Sequence, residues 1–168
     1  MSQSLPEAVV RDTRGRPLLG RQPEQRLRRT KRQSAVALAG VPLFAGFSKR
    51  ELERLAADAD ELSFNAGDTL VREGLLGDTM FVVLSGQGKV MKGSRRINSV
   101  RPGDFFGELS AIDGQPRSAS VIAETPMVVL RVFRRTLLAM IDAEPQLAMK
   151  LLGGIVKRLR HISNSLES

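Results

Sequence analysis

The chain has 168 residues, a net charge of +8, no cysteine, one histidine (His161), seven Phe and neither Trp nor Tyr. Such a length suits one domain with a real core, and the missing cysteines exclude disulfides and thiolate metal sites. A single histidine disfavours histidine metal centres and Ser-His-Asp catalysis, and so few aromatics disfavour a stacking platform for single-stranded nucleic acid.

Residues 1–33 come first. Nine basic side chains (Arg11, Arg14, Arg16, Arg21, Arg26, Arg28, Arg29, Lys31, Arg32) stand against three acids (Glu7, Asp12, Glu24), so this stretch holds six of the eight net charges. With three prolines and little apolar periodicity, it reads as a basic, largely disordered arm. Such an arm is either a solvated tail or a tether for nucleic acid, an acidic protein surface or anionic lipid. Arg28-Arg29-Thr30-Lys31-Arg32 and the apolar run from Ser34 to Phe47 imitate a secretion signal, but Pro42 and two glycines interrupt the run. No apolar stretch is long enough to span a bilayer, and a cytoplasmic location is expected.

Residues 34–168 read as the folded domain. Ser48-Lys49-Arg50-Glu51 is a capping box, and Leu52, Leu55, Ala56 and Ala59 follow at helical spacing. From 61 to 132 the pattern changes to short alternating segments separated by Gly-rich turns. Strands are predicted at 61–64, 69–73, 80–85, 88–92, 95–100, 118–124 and 127–132. Many short strands at regular spacing predict an antiparallel barrel or jelly roll. Residues 133–168 return to helix, with a second helix starting near Pro145. Within it Ala148, Leu152, Ile155, Leu159, Ile162 and Leu166 repeat in the a/d manner of a coiled coil. The same stripe serves equally to cover the barrel, and Gly153-Gly154 weakens the helix and suits a hinge.

The most informative stretch is Gly103-Asp104-Phe105-Phe106-Gly107-Glu108-Leu109-Ser110-Ala111, followed by Pro116-Arg117-Ser118-Ala119-Ser120. A helix start attracts anions because its first N–H groups lack partners within the helix and the macrodipole adds positive charge. Arginine contributes a full charge and a planar donor fork suited to phosphate. Glu108 is the oddity, a carboxylate inside an anion site. A ligand with one anionic group beside a hydroxyl satisfies both residues, and a sugar phosphate has that form.

This order of a helix, short strands, a Gly-Glu-Leu insert and two helices resembles the cyclic nucleotide-binding domain of catabolite activator-type regulators, cyclic nucleotide-dependent kinases and gated channels. The resemblance covers about residues 40–162. It rests on the cassette Phe106-Gly107-Glu108-Leu109-Ser110-Ala111-Ile112-Asp113-Gly114-Gln115-Pro116-Arg117-Ser118-Ala119. Val41-Pro42-Leu43-Phe44, Val71-Arg72-Glu73-Gly74, Phe81-Val82-Val83-Leu84-Ser85-Gly86 and Arg101-Pro102-Gly103-Asp104 support it. It implies a mainly β fold, an antiparallel jelly-roll barrel (a double-stranded β-helix) at about 61–132. An N-terminal helix precedes the barrel, and two C-terminal helices follow at about 133–168.

The resemblance further implies that Arg117 pairs with the cyclic phosphate and Glu108 accepts from the ribose 2′-hydroxyl. Backbone N–H groups of Gly107, Leu109 and Ala119, with the Ser118 hydroxyl, would complete a cradle that also includes Phe106 and Ser110. The alternative is that Arg117 and Glu108 pair with each other. Val90 and Val100 align with the base pocket, closed from the last helix by Arg158 or Ile162. Arg158 either stacks on the purine or lies on a solvated helix face. Ser118 suits cAMP or cGMP, with cAMP favoured.

The expected function is a stand-alone, bacterial-type cyclic nucleotide sensor, because no helix-turn-helix or other effector segment follows the last helix. Ligand would reposition the C-terminal helices toward an effector protein. The activator-type relatives imply a homodimer through the last helix. The competing expectation is a ligand-free scaffold tethered by the basic arm, nucleic acid included among its partners. No cofactor, metal site or catalytic residue is expected, and with no nucleophile-base pair visible an enzyme is the least favoured class.

Overall fold

A computed structural model describes residues 31–167, with side chains described from 35 to 164. Most of the basic arm, with any tethering role, lies outside the described residues, and so does the Leu166 side chain. Helix α1 runs Lys31–Ala39. The last three residues assigned to the arm are therefore helical in backbone. The run that imitates a secretion signal divides between α1 and a 3-10 turn at Pro42–Phe44. Ala35, Leu38, Leu43 and Phe44 are all buried, so its apolar character is that of a core-facing segment.

Helix α2, Lys49–Asp58, starts at the predicted capping box. Glu51 N donates to Ser48 Oγ at 3.1 Å, and Ser48 N donates to Glu51 Oε2 at 2.8 Å. Eight strands follow: β1 Asp60–Phe64, β2 Thr69–Val71, β3 Thr79–Ser85, β4 Gly88–Lys92, β5 Arg95–Val100, β6 Phe105–Phe106, β7 Ser120–Ala123 and β8 Met127–Phe133. They make two four-stranded antiparallel sheets, ordered β1-β8-β3-β6 and β2-β7-β4-β5, in a jelly-roll arrangement whose hydrogen-bond ladders do not close into one ring.

Seven of these strands match predicted segments, with two shortened. β2 stops at Val71 and β7 begins at Ser120 because loop bonds replace the ladder beyond them. Glu73 N donates to Ser120 Oγ at 2.9 Å, Gly74 N to the Arg117 carbonyl at 2.8 Å and Arg117 N to the Leu75 carbonyl at 2.8 Å. Strand β6 was not predicted, since two residues are too few to display an alternation.

The core has two parts, and β3 and β8 face both. Met80, Val82, Leu130 and Val132 pack with Leu52, Leu55, Leu137, Leu147 and Leu151 on the helix side. Phe81, Val83 and Val129 pack between the sheets with Phe64, Leu70, Phe106 and Val121. Alternate side chains of a strand point to opposite faces, so a strand buried on both reads as a continuous apolar run. At the surface Arg96 donates to both carboxylate oxygens of Glu124, at 3.0 and 2.8 Å, tying β5 to the residue after β7. These bonds hold the Glu124 carboxyl below the usual carboxylate range.

Helices α3 (Glu108–Asp113), α4 (Arg134–Ala143) and α5 (Gln146–Glu167) complete the fold, and Pro145 immediately precedes α5. The predicted a/d stripe of α5 does not form a single face. Leu147 and Leu151 are the buried pair, Ile155 and Ile162 are partly covered, and Ala148, Leu152 and Leu159 are exposed. The exposed apolar row is instead Met149, Leu152, Val156 and Leu159. Gly154 lies at the contact of this helix with β6. A Cβ there would lie 2.6 Å from Cζ of Phe105, so a larger residue would have to displace that ring. Lys150 Nζ donates to the Ala45 carbonyl and pins the same helix to the 3-10 turn. No helix among the described residues is long and apolar enough to cross a membrane.

The two adjacent glycines should behave differently. Gly153 has open space around its Cβ direction, so Gly153→Ala should stabilise the protein by up to about 1 kcal/mol through helix propensity. Gly154→Ala should lose that gain, because Phe105 must move. Thermal denaturation of both variants checks this, and equal gains would contradict the seating of α5 on Phe105.

Candidate functional site

Gly107 turns the chain from β6 into α3 with φ 80°, the left-handed region, and acts as the N-cap of α3 without a side-chain bond. A Cβ at Gly107 would meet Arg117 Nη1 at 2.8 Å and the Thr79 carbonyl at 2.9 Å. Glycine is thus required twice, for its backbone angle and for the arginine pressed behind it. Immediately after the turn come Glu108, 1% exposed, and Ser110, 3% exposed. The first amides of α3 have no acceptor within the helix.

Arg117 is also buried. Its Nη1 donates to the carbonyls of Thr79 at 2.7 Å and Gly107 at 3.0 Å, and its Nη2 donates to Thr79 Oγ1 at 3.0 Å. The guanidinium lies 5.8 Å from the Phe81 ring centroid, and Phe81 stacks on Phe106 at 5.1 Å. β3, the Gly107 turn and the cassette are therefore locked together around one cation. Burying a charge is costly unless it is hydrogen-bonded, and these acceptors supply that compensation.

Glu108 does not pair with Arg117. Its Oε1 accepts from Arg158 Nη2 on α5, while its Oε2 is buried with no hydrogen-bond partner. The Arg158 guanidinium lies over the Phe105 ring, 4.9 Å from the centroid. Arg158 thus sits neither on a solvated helix face nor open on both faces for stacking, since one face is covered by Phe105.

A cavity of about 500 Å³ opens between the cassette, the β4–β5 hairpin and α5. Phe106, Gly107, Glu108, Leu109, Ser110, Ser118, Ala119, Val90, Val100 and Arg158 all line it. Arg117 alone of the sequence candidates does not, because its guanidinium is folded behind the Gly107 turn. Sequence reasoning missed Phe105, Val71, Val121, Asn98, Ser99 and the α5 residues Gly154, Ile155, Lys157 and His161. Strand alternation could have found Val71 and Val121. The α5 set depends on the seating of that helix on Phe105 and had no local signal.

Chemically, the cavity combines an apolar wall, a helix start, two small residues (Ser118 and Ala119), and a carboxylate with one unpartnered oxygen. A positive charge lies directly behind this polar end. The arrangement can accept an anion and, beside it, a hydroxyl donor.

A family model described as "Cyclic nucleotide-binding domain" matches residues 61–144. The chain is similar to a cAMP-dependent protein kinase regulatory subunit of Aspergillus fumigatus, 37% identical over 99 residues, covering 58% of this chain and 24% of the relative. It is also similar to a CRP-like cAMP-activated global transcriptional regulator of Mycobacterium tuberculosis, 29% identical over 134 residues, covering 77% of this chain and 60% of the relative. Among solved structures, the regulatory domain of Toxoplasma gondii PKA with cAMP matches with a TM-score of 0.64 and 26% identity, covering 73% of this chain and 49% of that one. The chain thus spans about a quarter of the length of the kinase subunit and three fifths of the regulator's.

Thr79 supplies two of the acceptors that hold Arg117. Thr79→Val removes only the hydroxyl, and the lost bond to a buried cation should cost about 1–3 kcal/mol of stability. Urea denaturation measures this. An unchanged midpoint and slope would mean that Arg117 does not depend on the hydroxyl.

Proposed function

This chain belongs to the cyclic nucleotide-binding domain family, and from that membership we propose that it is a cyclic nucleotide sensor, cAMP favoured over cGMP, that signals through the position of α5. The observation that carries the proposal is the buried, unpartnered Oε2 of Glu108 on the wall of a cavity whose polar end suits an anion. An unsatisfied buried oxygen costs free energy that a ligand hydroxyl recovers. In this reading the ribose 2′-hydroxyl donates to Glu108. The cyclic phosphate lies against Ser118, Ala119 and the start of α3, with Arg117 supplying positive charge from behind the Gly107 turn.

The base then occupies the apolar part of the cavity beside Val71, Val90, Val100 and Val121. The preference for cAMP draws on the relatives, a cAMP-dependent kinase regulatory subunit and a cAMP-activated regulator. Those proteins are regulatory, which supports a regulatory role over a catalytic one.

Helix α5 gives the site its output. One side, through Gly154, Ile155, Arg158 and Ile162, lines the cavity. The other presents Met149, Leu152 and Val156 to solvent, with the exposed Leu159 continuing the row to the cavity rim. A ligand that binds one position of α5 better than another shifts the helix toward that position, and the exposed row moves with it. We assign that row as the surface read by an effector protein or by a second copy of the chain.

A thermal-shift titration with cAMP and with cGMP tests the proposal. Ligand at about 100 times its Kd should stabilise the fold by roughly 2.7 kcal/mol. Arg117→Ala should weaken binding by about 2–5 kcal/mol, as expected for truncating one member of a buried charge interaction. No shift with either nucleotide at millimolar concentration would favour a ligand-free scaffold instead.

A further inference from the structure

The two oxygens of Glu108 are inequivalent, and a residue from the far end of the chain makes them so. The carboxylate is almost fully enclosed, with a side-chain exposure of 2% against 31% for its partner Arg158. Arg158 occupies Oε1 and leaves Oε2 without a partner. Lys157 and His161 lie on the same wall and are exposed, and the ion pair of Glu108 is with Arg158.

Arg158 is itself held in place. Its guanidinium lies over Phe105, and the same ring receives Gly154, one helical turn earlier on α5. The register of α5 on Phe105 therefore sets where Arg158 reaches, and Arg158 sets which carboxylate oxygen is left without a partner. A carboxylate without such a clamp would rotate about its terminal torsion, which is broad and roughly two-fold.

We infer that Arg158 is a positioning residue that determines specificity for a ribose over a 2′-deoxyribose ligand, by holding Glu108 Oε1 so that Oε2 is presented to the 2′-hydroxyl. The inference rests on the cyclic nucleotide reading of the cavity. It assigns Arg158 a role distinct from stacking on the base, and it makes discrimination at the sugar depend on the seating of α5. A site built around a polar group rejects an analogue lacking the matching hydroxyl, because the buried group is then left unpaired.

The test is calorimetric titration of the full chain with cAMP and with 2′-deoxy-cAMP, on wild type, Arg158→Met and Arg158→Lys. Wild type should prefer cAMP by about 10–100-fold, the usual worth of a hydrogen bond to a charged group. Arg158→Met should erase most of that ratio by weakening cAMP while leaving the 2′-deoxy analogue little changed. Arg158→Lys, which keeps a cationic N–H group for Oε1 but not the planar fork, should recover part of the preference. If Arg158→Met lowers affinity for both ligands equally, the residue only packs α5 and the inference fails. Tighter binding of both ligands would make Arg158 a competitor of the nucleotide and also overturn it. A wild-type chain that binds neither nucleotide refutes the cyclic nucleotide reading itself, and this inference with it.

Discussion

Two opposite charges are buried on either side of one short helix, and each is compensated by groups far away in sequence. Arg117 is held by Thr79 on β3 and by the Gly107 carbonyl, and Glu108 by Arg158 on α5. A buried ion without partners costs several kcal/mol, so these contacts stabilise the cassette in this arrangement. The rest of the structure follows from meeting them. β3 must place Thr79 under the cassette, Gly107 must take a left-handed turn to admit the guanidinium, and α5 must come down onto Phe105 to deliver Arg158.

The two compensations differ in completeness, and the difference points to function. Arg117 is surrounded by acceptors from rigid elements, which makes it a fixed charge beneath the polar end of the cavity. Glu108 has one oxygen satisfied and one open. A fold seeking stability alone would close that oxygen or replace the carboxylate. Left unpartnered in a residue that lines a cavity of about 500 Å³, it is the oxygen that the proposed function gives to a ligand donor. The satisfied oxygen is joined to α5, so occupancy of the cavity and position of the last helix meet in one carboxylate. In the proposed function that junction is the route from ligand to surface.

Much of this was legible in the residues. The capping box at Ser48 and Glu51 fixed a helix start, and the alternation between 61 and 132 marked seven of the eight strands. The cassette announced an anion site through its Gly-Glu-Leu turn and Arg117, and the misfit of a carboxylate there pointed to a hydroxyl-bearing ligand. Helix α1 was less visible, because a core-facing apolar run behind basic residues has the composition of a secretion signal. β6 was too short for any period.

The features that could not be read were those set by distance. Nothing local says that Arg158 reaches Glu108, or that Arg117 turns behind Gly107 and away from the cavity wall. The spacing of Ala148, Leu152, Ile155, Leu159, Ile162 and Leu166 predicts one α5 stripe, of which Leu166 lies outside the described side chains. In the fold Gly154 meets Phe105, and Leu147 and Leu151 are the buried pair of the helix. Periodicity identifies a helix face but not its azimuth on a neighbour, which depends on which residue is small at the contact.

The central claim is that the carboxylate and the guanidinium flanking α3 serve one ligand, the first at its sugar and the second at its phosphate. A crystal structure of the chain with cAMP tests it most directly. The account predicts the ribose 2′-hydroxyl on Glu108 Oε2, Arg158 still on Oε1, and the cyclic phosphate against Ser118 and Ala119 above Arg117. A nucleotide seated elsewhere, or one whose 2′-hydroxyl turns away from Glu108, would contradict it.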